Sequence, residues 1–213
     1  MSGRYQRKDH LYNRAKDEGY RSRAAYKLME LNDRFKFLRS GAAVLDLGCF
    51  PGGWLQVACE LVGAKGIVVG VDLREVPPFS AKDIKTKPGA APLLPKVIVG
   101  DITTAETQQA LAEISPSSFN VVLSDLSPHI SGIKERDIAG SLELVQLAYL
   151  TAQKFLRDSG TFVAKIFPSP ETDALFKELT GSFAKLQRVG LDSTRKTSNE
   201  YYFVGTGYRR HNN

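Results

Sequence analysis

The feature that most constrains this chain is a change of hydrophobic period that recurs along it: short apolar runs give way, again and again, to segments with helical spacing. Ala43-Val44-Leu45-Asp46-Leu47 closes at Gly48, and helical spacing resumes from Trp54 to Val62. Apolar runs recur at Ile67–Leu73, Lys96–Ile102, Phe119–Leu126 and Thr161–Phe167, and helical patterns at Thr104–Ile114, Asp137–Leu156 and Glu171–Thr180. Buried strands alternating with helices predict an α/β domain around a mostly parallel sheet covered on both faces. Ahead of them Ala25, Leu28, Met29, Leu31 and Phe35 recur at three and four residues, predicting a helix that carries Lys27, with Ser22 as its cap. Lys185–Leu191 and Tyr201–Gly207 read as strands with only the polar stretch 192–199 between them. That stretch has no room for a helix, so the two should pair antiparallel at one side of the sheet, giving seven strands with an antiparallel C-terminal strand.

A chain of 213 residues suits one domain. The expected layout is a basic N-terminal arm over 1–21, a single domain over 22–208 and a tail over 209–213. The one long connection, Arg74 to Pro95, holds Pro77, Pro78, Pro88, Pro92 and Pro95, and loops of that length are usually functional or mobile. Cys49 and Cys59, too few for a zinc site or a disulfide framework, read as buried free thiols. With no membrane-length apolar run and no secretory h-region at the start, a cytoplasmic monomer is expected.

Charge is unevenly placed. Residues 1–40 hold 11 Lys/Arg against 5 Asp/Glu, and residues 41–213 hold 18 of each, so the whole excess of +6 lies in the first segment. There Arg4, Tyr5, Arg7, Lys8, Tyr12, Arg14, Lys16, Tyr20, Arg21, Arg23 and Tyr26 interleave cations with rings, which suits the phosphates and bases of nucleic acid. A solvated arm that only aids solubility is the plain alternative.

Ligands of open parallel sheets bind beyond the carboxyl ends of the strands. The first strand ends in Asp46-Leu47-Gly48-Cys49-Phe50-Pro51-Gly52-Gly53-Trp54, whose glycines let backbone approach a ligand at a helix N-terminus. Asp72 follows 24 residues after Gly48, a spacing suited to a carboxylate on ribose hydroxyls, and Asp101 and Asp125 end the next two strands. A glycine turn followed by an acid is compatible with a nicotinamide dinucleotide or with S-adenosylmethionine. Glycines at 48, 52 and 53 do not match G-x-G-x-x-G, and the terminal hairpin fits a methyltransferase sheet better, so the spacing favours S-adenosylmethionine.

Five motifs then occur in order: Ser22-Arg23-Ala24-Ala25-Tyr26-Lys27-Leu28; Asp46-Leu47-Gly48 with Pro51-Gly52-Gly53-Trp54; Ser124-Asp125-Leu126-Ser127-Pro128; Val163-Ala164-Lys165-Ile166-Phe167; and Ser198-Asn199-Glu200-Tyr201-Tyr202. Together, over about residues 10–207, they resemble the FtsJ/RrmJ family of ribose 2′-O-methyltransferases. The resemblance implies a Rossmann-like methyltransferase fold, S-adenosylmethionine as donor and no metal. It implies a catalytic tetrad of Lys27, Asp125, Lys165 and Glu200, and a donor site lined by Gly52, Trp54, Asp72, Asp101 and Asp125; Gly48 and Gly53 join that set through the glycine turn. The short members' substrate is large-subunit ribosomal RNA, with uridine the expected acceptor although no residue pattern here selects it. An RNA-binding assembly factor without catalysis remains the competing reading, which the intact tetrad disfavours.

The chemistry of the four residues can be read directly. Methyl transfer to a ribose hydroxyl is an in-line displacement that needs a group to take the hydroxyl proton. A lysine near its ordinary pKa of about 10.4 cannot do so, but desolvation and a neighbouring cation lower that value. Lys165, inside an apolar strand, is the expected acceptor, with Lys27 and Glu200 positioning the ribose and Asp125 holding both Lys165 and the donor. Phe50 stands where the family has small residues, and His129 reads as a satisfied loop histidine.

Overall fold

The computed structural model describes residues 10–116, 118–195 and 198–210. Its elements run α1 (His10–Asp17), α2 (Ala25–Phe35), β1 (Ala43–Leu47), α3 (Gly53–Val62), β2 (Ile67–Asp72), β3 (Lys96–Val99), α4 (Ala105–Ile114), β4 (Phe119–Ser124), α5 (Lys134–Phe155), β5 (Leu156–Ile166), α6 (Pro170–Thr180), β6 (Phe183–Val189) and β7 (Tyr201–Tyr208). The strands form one sheet in the order β3-β2-β1-β4-β5-β7-β6, and β7 alone runs antiparallel to its neighbours. This is the expected α/β architecture. Among the described residues no helix is long and apolar enough to cross a membrane.

Strand periodicity divides the core in two. Val44, Val68, Val121, Leu123, Val163, Tyr202 and Val204 face α2 and α3, where Leu28, Leu31, Leu55 and Ala58 are fully buried. Leu45, Val69, Val122, Phe162, Ala164 and Phe203 face the other way, against Val145, Ala148 and Ala152 of α5 and Leu175 and Leu179 of α6. By the same alternation Asp46 and Lys165 belong to the α2/α3 face, and Asp125 and Glu200 lie just beyond the end of β4 and the start of β7. A lysine on the opposite face of β5 could not have met Lys27.

Several boundaries differ from the sequence reading. Ser22 does not cap α2 with its side chain; Ala24 occupies the N-cap, and the Ser22 carbonyl accepts the Ala25 N–H at 3.2 Å. Residues 1–9 of the expected arm lie outside the described residues, but from His10 the segment is folded onto the domain. Ala15 is buried, and the Tyr20 hydroxyl donates to Glu60 at 2.8 Å. The fully buried Gln56 of α3 knots three segments: its carbonyl accepts the Arg21 N–H (2.8 Å), and its amide donates to the Gly19 (3.0 Å) and Asp83 (2.8 Å) carbonyls. The long connection is irregular apart from a single 3-10 turn at Ala81–Asp83. Arg21 pins it down, donating to the Pro77 and Pro78 carbonyls and stacking its guanidinium 3.6 Å from the Phe79 ring centroid. Both cysteines are free and buried, and burial pushes the Cys59 thiol up to about 12.

Candidate active site

Four elements deliver the polar groups of the α2/α3 face to one place. β4 ends at Ser124, so Asp125 emerges just beyond the sheet; β5 carries Lys165 in direct register with Tyr202 of β7. The Lys165 ammonium donates to the Asp125 carbonyl at 2.8 Å and lies 3.3 Å from Asp125 Oδ1. The same Oδ1 accepts the Tyr202 hydroxyl at 2.7 Å. On the outer side Lys27 of α2 forms an ion pair with Glu200, whose carboxylate also accepts Thr194 Oγ1 (3.3 Å) and Ser198 Oγ (3.0 Å). The Lys27 ammonium sits 5.9 Å from the Tyr202 ring centroid, so this tyrosine joins the two ion pairs into one cluster.

Burial would raise the pKa of Asp125, yet the charges of Lys165 and Lys27 and the hydrogen bonds from Tyr202 and Lys165 outweigh it and hold the carboxyl below its ordinary range. The Tyr202 phenol moves the other way, far up, first through burial and then through the Asp125 and Glu200 charges. It is therefore a permanent donor to Asp125. Lys165 is 6% exposed and has both its partners on Asp125, which satisfies the cost of burying a charge.

A cavity of about 740 Å³ opens beside Lys27 and Glu200. Arg23, Lys134 and Arg195 supply further cations around it, and Ile130, Ile138 and Phe167 supply apolar surface. Cations at a rim and apolar side chains at a wall suit a nucleotide, whose phosphate and base make those two demands.

Asp125 also lines a narrow crevice, together with Asp46, Gly48, Phe50, Gly53 and Trp54. Gly48, Gly53, Trp54 and Asp125 of the expected donor set therefore meet at one place. Gly48 (φ +74°) and Gly52 (φ +110°) hold left-handed backbone that a side chain would strain. A Cβ on Gly52 would also lie 2.6 Å from Phe79 Cζ, and one on Gly53 2.4 Å from Ser22 Oγ. The Trp54 indole N–H donates to the Ala24 carbonyl at 2.7 Å, tying α3 to the start of α2. Asp72 sits at the end of β2, but its carboxylate organises local backbone: Oδ2 accepts Phe50 N–H, and Oδ1 accepts Arg74 N–H, each at 2.9 Å. Asp101 is exposed beyond β3, where Oδ1 accepts the amide and hydroxyl of Thr103 at 2.8 Å. Phe50 turns its ring to the Arg74 guanidinium, 4.0 Å away, and His129 is exposed outside the cavity lining.

Two residues of the cluster were not singled out from the sequence. Tyr202 is in register with Lys165 across β5 and β7, so the two share a face, and the signal was its place in the last motif inside an apolar strand. Asp46 interrupts an apolar strand two residues before the glycine turn. It is 1% exposed, its Oδ2 has no hydrogen-bond partner, and burial together with the Asp125 and Asp72 charges pushes its pKa far up. A buried acceptor without a donor, beside a glycine turn, fits the ammonium of an amino-acid ligand such as the methionyl end of S-adenosylmethionine. At about 20 Å³ the crevice has room for little more than one water-sized group, so seating that end entails widening it.

Comparison with known proteins shows which family shares this sequence and fold. Residues 20–208 match the model of the FtsJ-like methyltransferase family. A ribosomal RNA large subunit methyltransferase E from Halobacterium salinarum is 42% identical over 202 residues, covering 95% of this chain and 74% of the relative. The protein of that name from Methanothermobacter thermautotrophicus is 39% identical over 203 residues, covering 95% and 91%. Among solved structures, one described as a ribosomal RNA methyltransferase from Plasmodium falciparum superposes with a TM-score of 0.74 at 28% identity, over 89% of this chain and 98% of that one. By sequence match and by fold alike, the chain belongs to the FtsJ-like methyltransferase family.

Proposed function

We propose that this protein transfers a methyl group from S-adenosylmethionine to a ribose 2′-hydroxyl, that of a uridine, in large-subunit ribosomal RNA. The observation that carries the reading is the cluster itself: two ion pairs, Lys165–Asp125 and Lys27–Glu200, joined through Tyr202, with Asp125 lining the crevice and Lys27 and Glu200 lining the cavity. The relatives' names supply the RNA, and the family's general donor is S-adenosylmethionine. Only RNA offers a 2′-hydroxyl.

Asp46, the Gly48–Trp54 turn, Asp72, Asp101 and Asp125 would hold the donor. Bound there, S-adenosylmethionine supplies a methyl on a positively charged sulfur, and that unit of charge passes to the protein as the acceptor's proton leaves its oxygen. Lys165 Nζ, as the neutral amine, takes that proton and becomes the ammonium that Asp125 is placed to hold. Lys27 and Glu200 bracket the ribose and orient its hydroxyl toward Lys165. Arg23, Lys134, Arg195 and basic residues of the N-terminal segment such as Arg4, Arg7 and Lys8 hold phosphates.

The test uses large-subunit RNA or subunits lacking the modification, labelled donor, and a matched RNA with a 2′-deoxyuridine at the labelled nucleotide. Label on the normal RNA and none on the deoxy version is the expected result. Equal labelling of both would move the methyl to a base and overturn the ribose assignment.

A further inference from the structure

Arg23, Lys27, Glu30 and Arg34 recur at four, three and four residues and lie along one face of α2 and the turn before it. All four reach the same partner, the irregular segment between β6 and β7 that delivers Glu200. Arg23 donates to the Ser193 carbonyl at 2.5 Å, and Arg34 to the Gly190 carbonyl at 2.9 Å. Glu30 makes the densest contact. Its Oε1 accepts the Asp192 N–H at 2.9 Å, and its Oε2 accepts the Ser193 N–H at 3.0 Å and the Ser193 hydroxyl at 2.8 Å. Arg34 closes the arrangement by pairing with Oε1.

The function proposed above uses Lys27 and Glu200 as a pair, but they sit 173 positions apart in sequence, on elements that no strand ladder connects. α2 is outside the sheet, and among the described residues the segment before β7 has no ladder partners until Tyr201. Their mutual placement therefore needs another constraint, and the Lys27–Glu200 pair alone fixes only a distance. Resting on that functional reading, we infer that Glu30 is a positioning residue: by gripping two successive backbone amides it fixes the segment carrying Glu200 against the helix carrying Lys27. A carboxylate with an oxygen for each amide can do this, whereas an amide side chain turns an N–H toward one of them. Burial works against the Glu30 charge, but the two amides, the Ser193 hydroxyl and Arg34 outweigh it and hold the carboxyl below its ordinary range. It stays an acceptor at neutral pH.

Glu30→Gln in the full chain is the test, because the substitution preserves size and changes only charge and one acceptor. Amide hydrogen exchange at Asp192 and Ser193 should speed up about tenfold or more for the loss of a charge-assisted bond. At saturating donor and RNA, kcat should fall about 10- to 100-fold, the range for reacting groups displaced by about an ångström, with donor Kd unchanged. Arg34→Gln, which loosens the same grip from the side, should lower kcat in the same direction by a smaller factor. Should Glu30→Gln fail to fold, the Arg34→Gln result decides in its place. Faster exchange with unaltered kcat would make Glu30 a purely structural tie and overturn the inference, as would unaltered exchange. If the unsubstituted protein methylates no ribose at all, the functional reading fails, and the exchange measurement still reports on the grip by itself.

Discussion

Asp46 and Asp125 show how position alone sends two identical side chains in opposite directions. Asp46 is buried within β1 and Asp125 is half-buried just beyond β4, but Asp125 has Lys165, Lys27 and Tyr202 around it, whereas the charges that act on Asp46 are those of other acids. The folded-state pKa of Asp125 lies below the unfolded value of about 3.9, so its contribution to stability is present above that pH and is lost as pH falls through the folded value. For Asp46 the folded pKa is raised, so its contribution is complete below about pH 4 and is lost as pH rises through the folded value. Asp46→Asn should therefore raise Tm at pH 7, by about 2–4 °C for each kcal/mol recovered, and leave it unchanged near pH 3. The same variant should weaken S-adenosylmethionine binding, since an amide cannot give up a proton to become the anion that an arriving ammonium would stabilise. Equal Tm shifts at both pH values would show that Asp46 is not the buried acid described. Tyr202→Phe keeps the ring packed 6.1 Å from Trp54 and removes only the hydroxyl on Asp125. Its expected cost is about 1–3 kcal/mol in urea denaturation and a lower transfer rate with donor affinity little changed.

The elements were legible wherever packing agreed with local pattern. The apolar runs at 43–47, 67–73 and 119–126 became β1, β2 and β4 because strands buried on both faces leave an unmistakable apolar signature. β5 begins at Leu156, five residues before the expected Thr161, because an irregular first half pairs Leu156 with Phe119 before regular register starts at Val121. α1 was not legible as a helix: only Leu11 and Ala15 mark its buried face, and charged neighbours obscure their i, i+4 spacing. Its docking depends on Gln56, a polar residue at the centre of a helix whose partners come from three distant segments, and no local pattern announces that. Gln56→Ala should leave the Arg21 amide and the Gly19 and Asp83 carbonyls without their partner and destabilise the protein by about 2–4 kcal/mol in chemical denaturation. A change under about 0.5 kcal/mol would mean that water replaces the side chain without loss.

For the molecule as a whole, the sequence anticipated which side chains cluster better than it anticipated how the surface packs. Lys27, Asp125, Lys165 and Glu200 meet as the motifs led one to expect, and so do Gly48, Gly53 and Trp54, because strand ends and parity bring them there. Asp72 and Asp101 sit at the anticipated strand ends, but hydrogen bonds to Phe50, Arg74 and Thr103 are tertiary details that spacing cannot convey. Of the basic N-terminal segment, the described part from His10 onward packs on the domain through Ala15 and Tyr20. Beginning the chain at His10 removes Arg4, Arg7 and Lys8 and should flatten the salt dependence of RNA binding by about 2–3 log units per log unit of salt, with donor affinity intact. An unchanged slope would remove those three cations from the RNA footprint. The proton-acceptor role of Lys165 is tested most directly by Lys165→Ala, with donor binding followed by calorimetry and single-turnover methyl transfer by labelled donor. Donor Kd within about twofold of the unsubstituted protein and transfer slower by about 100- to 10,000-fold is the predicted result; transfer at the original rate would contradict it.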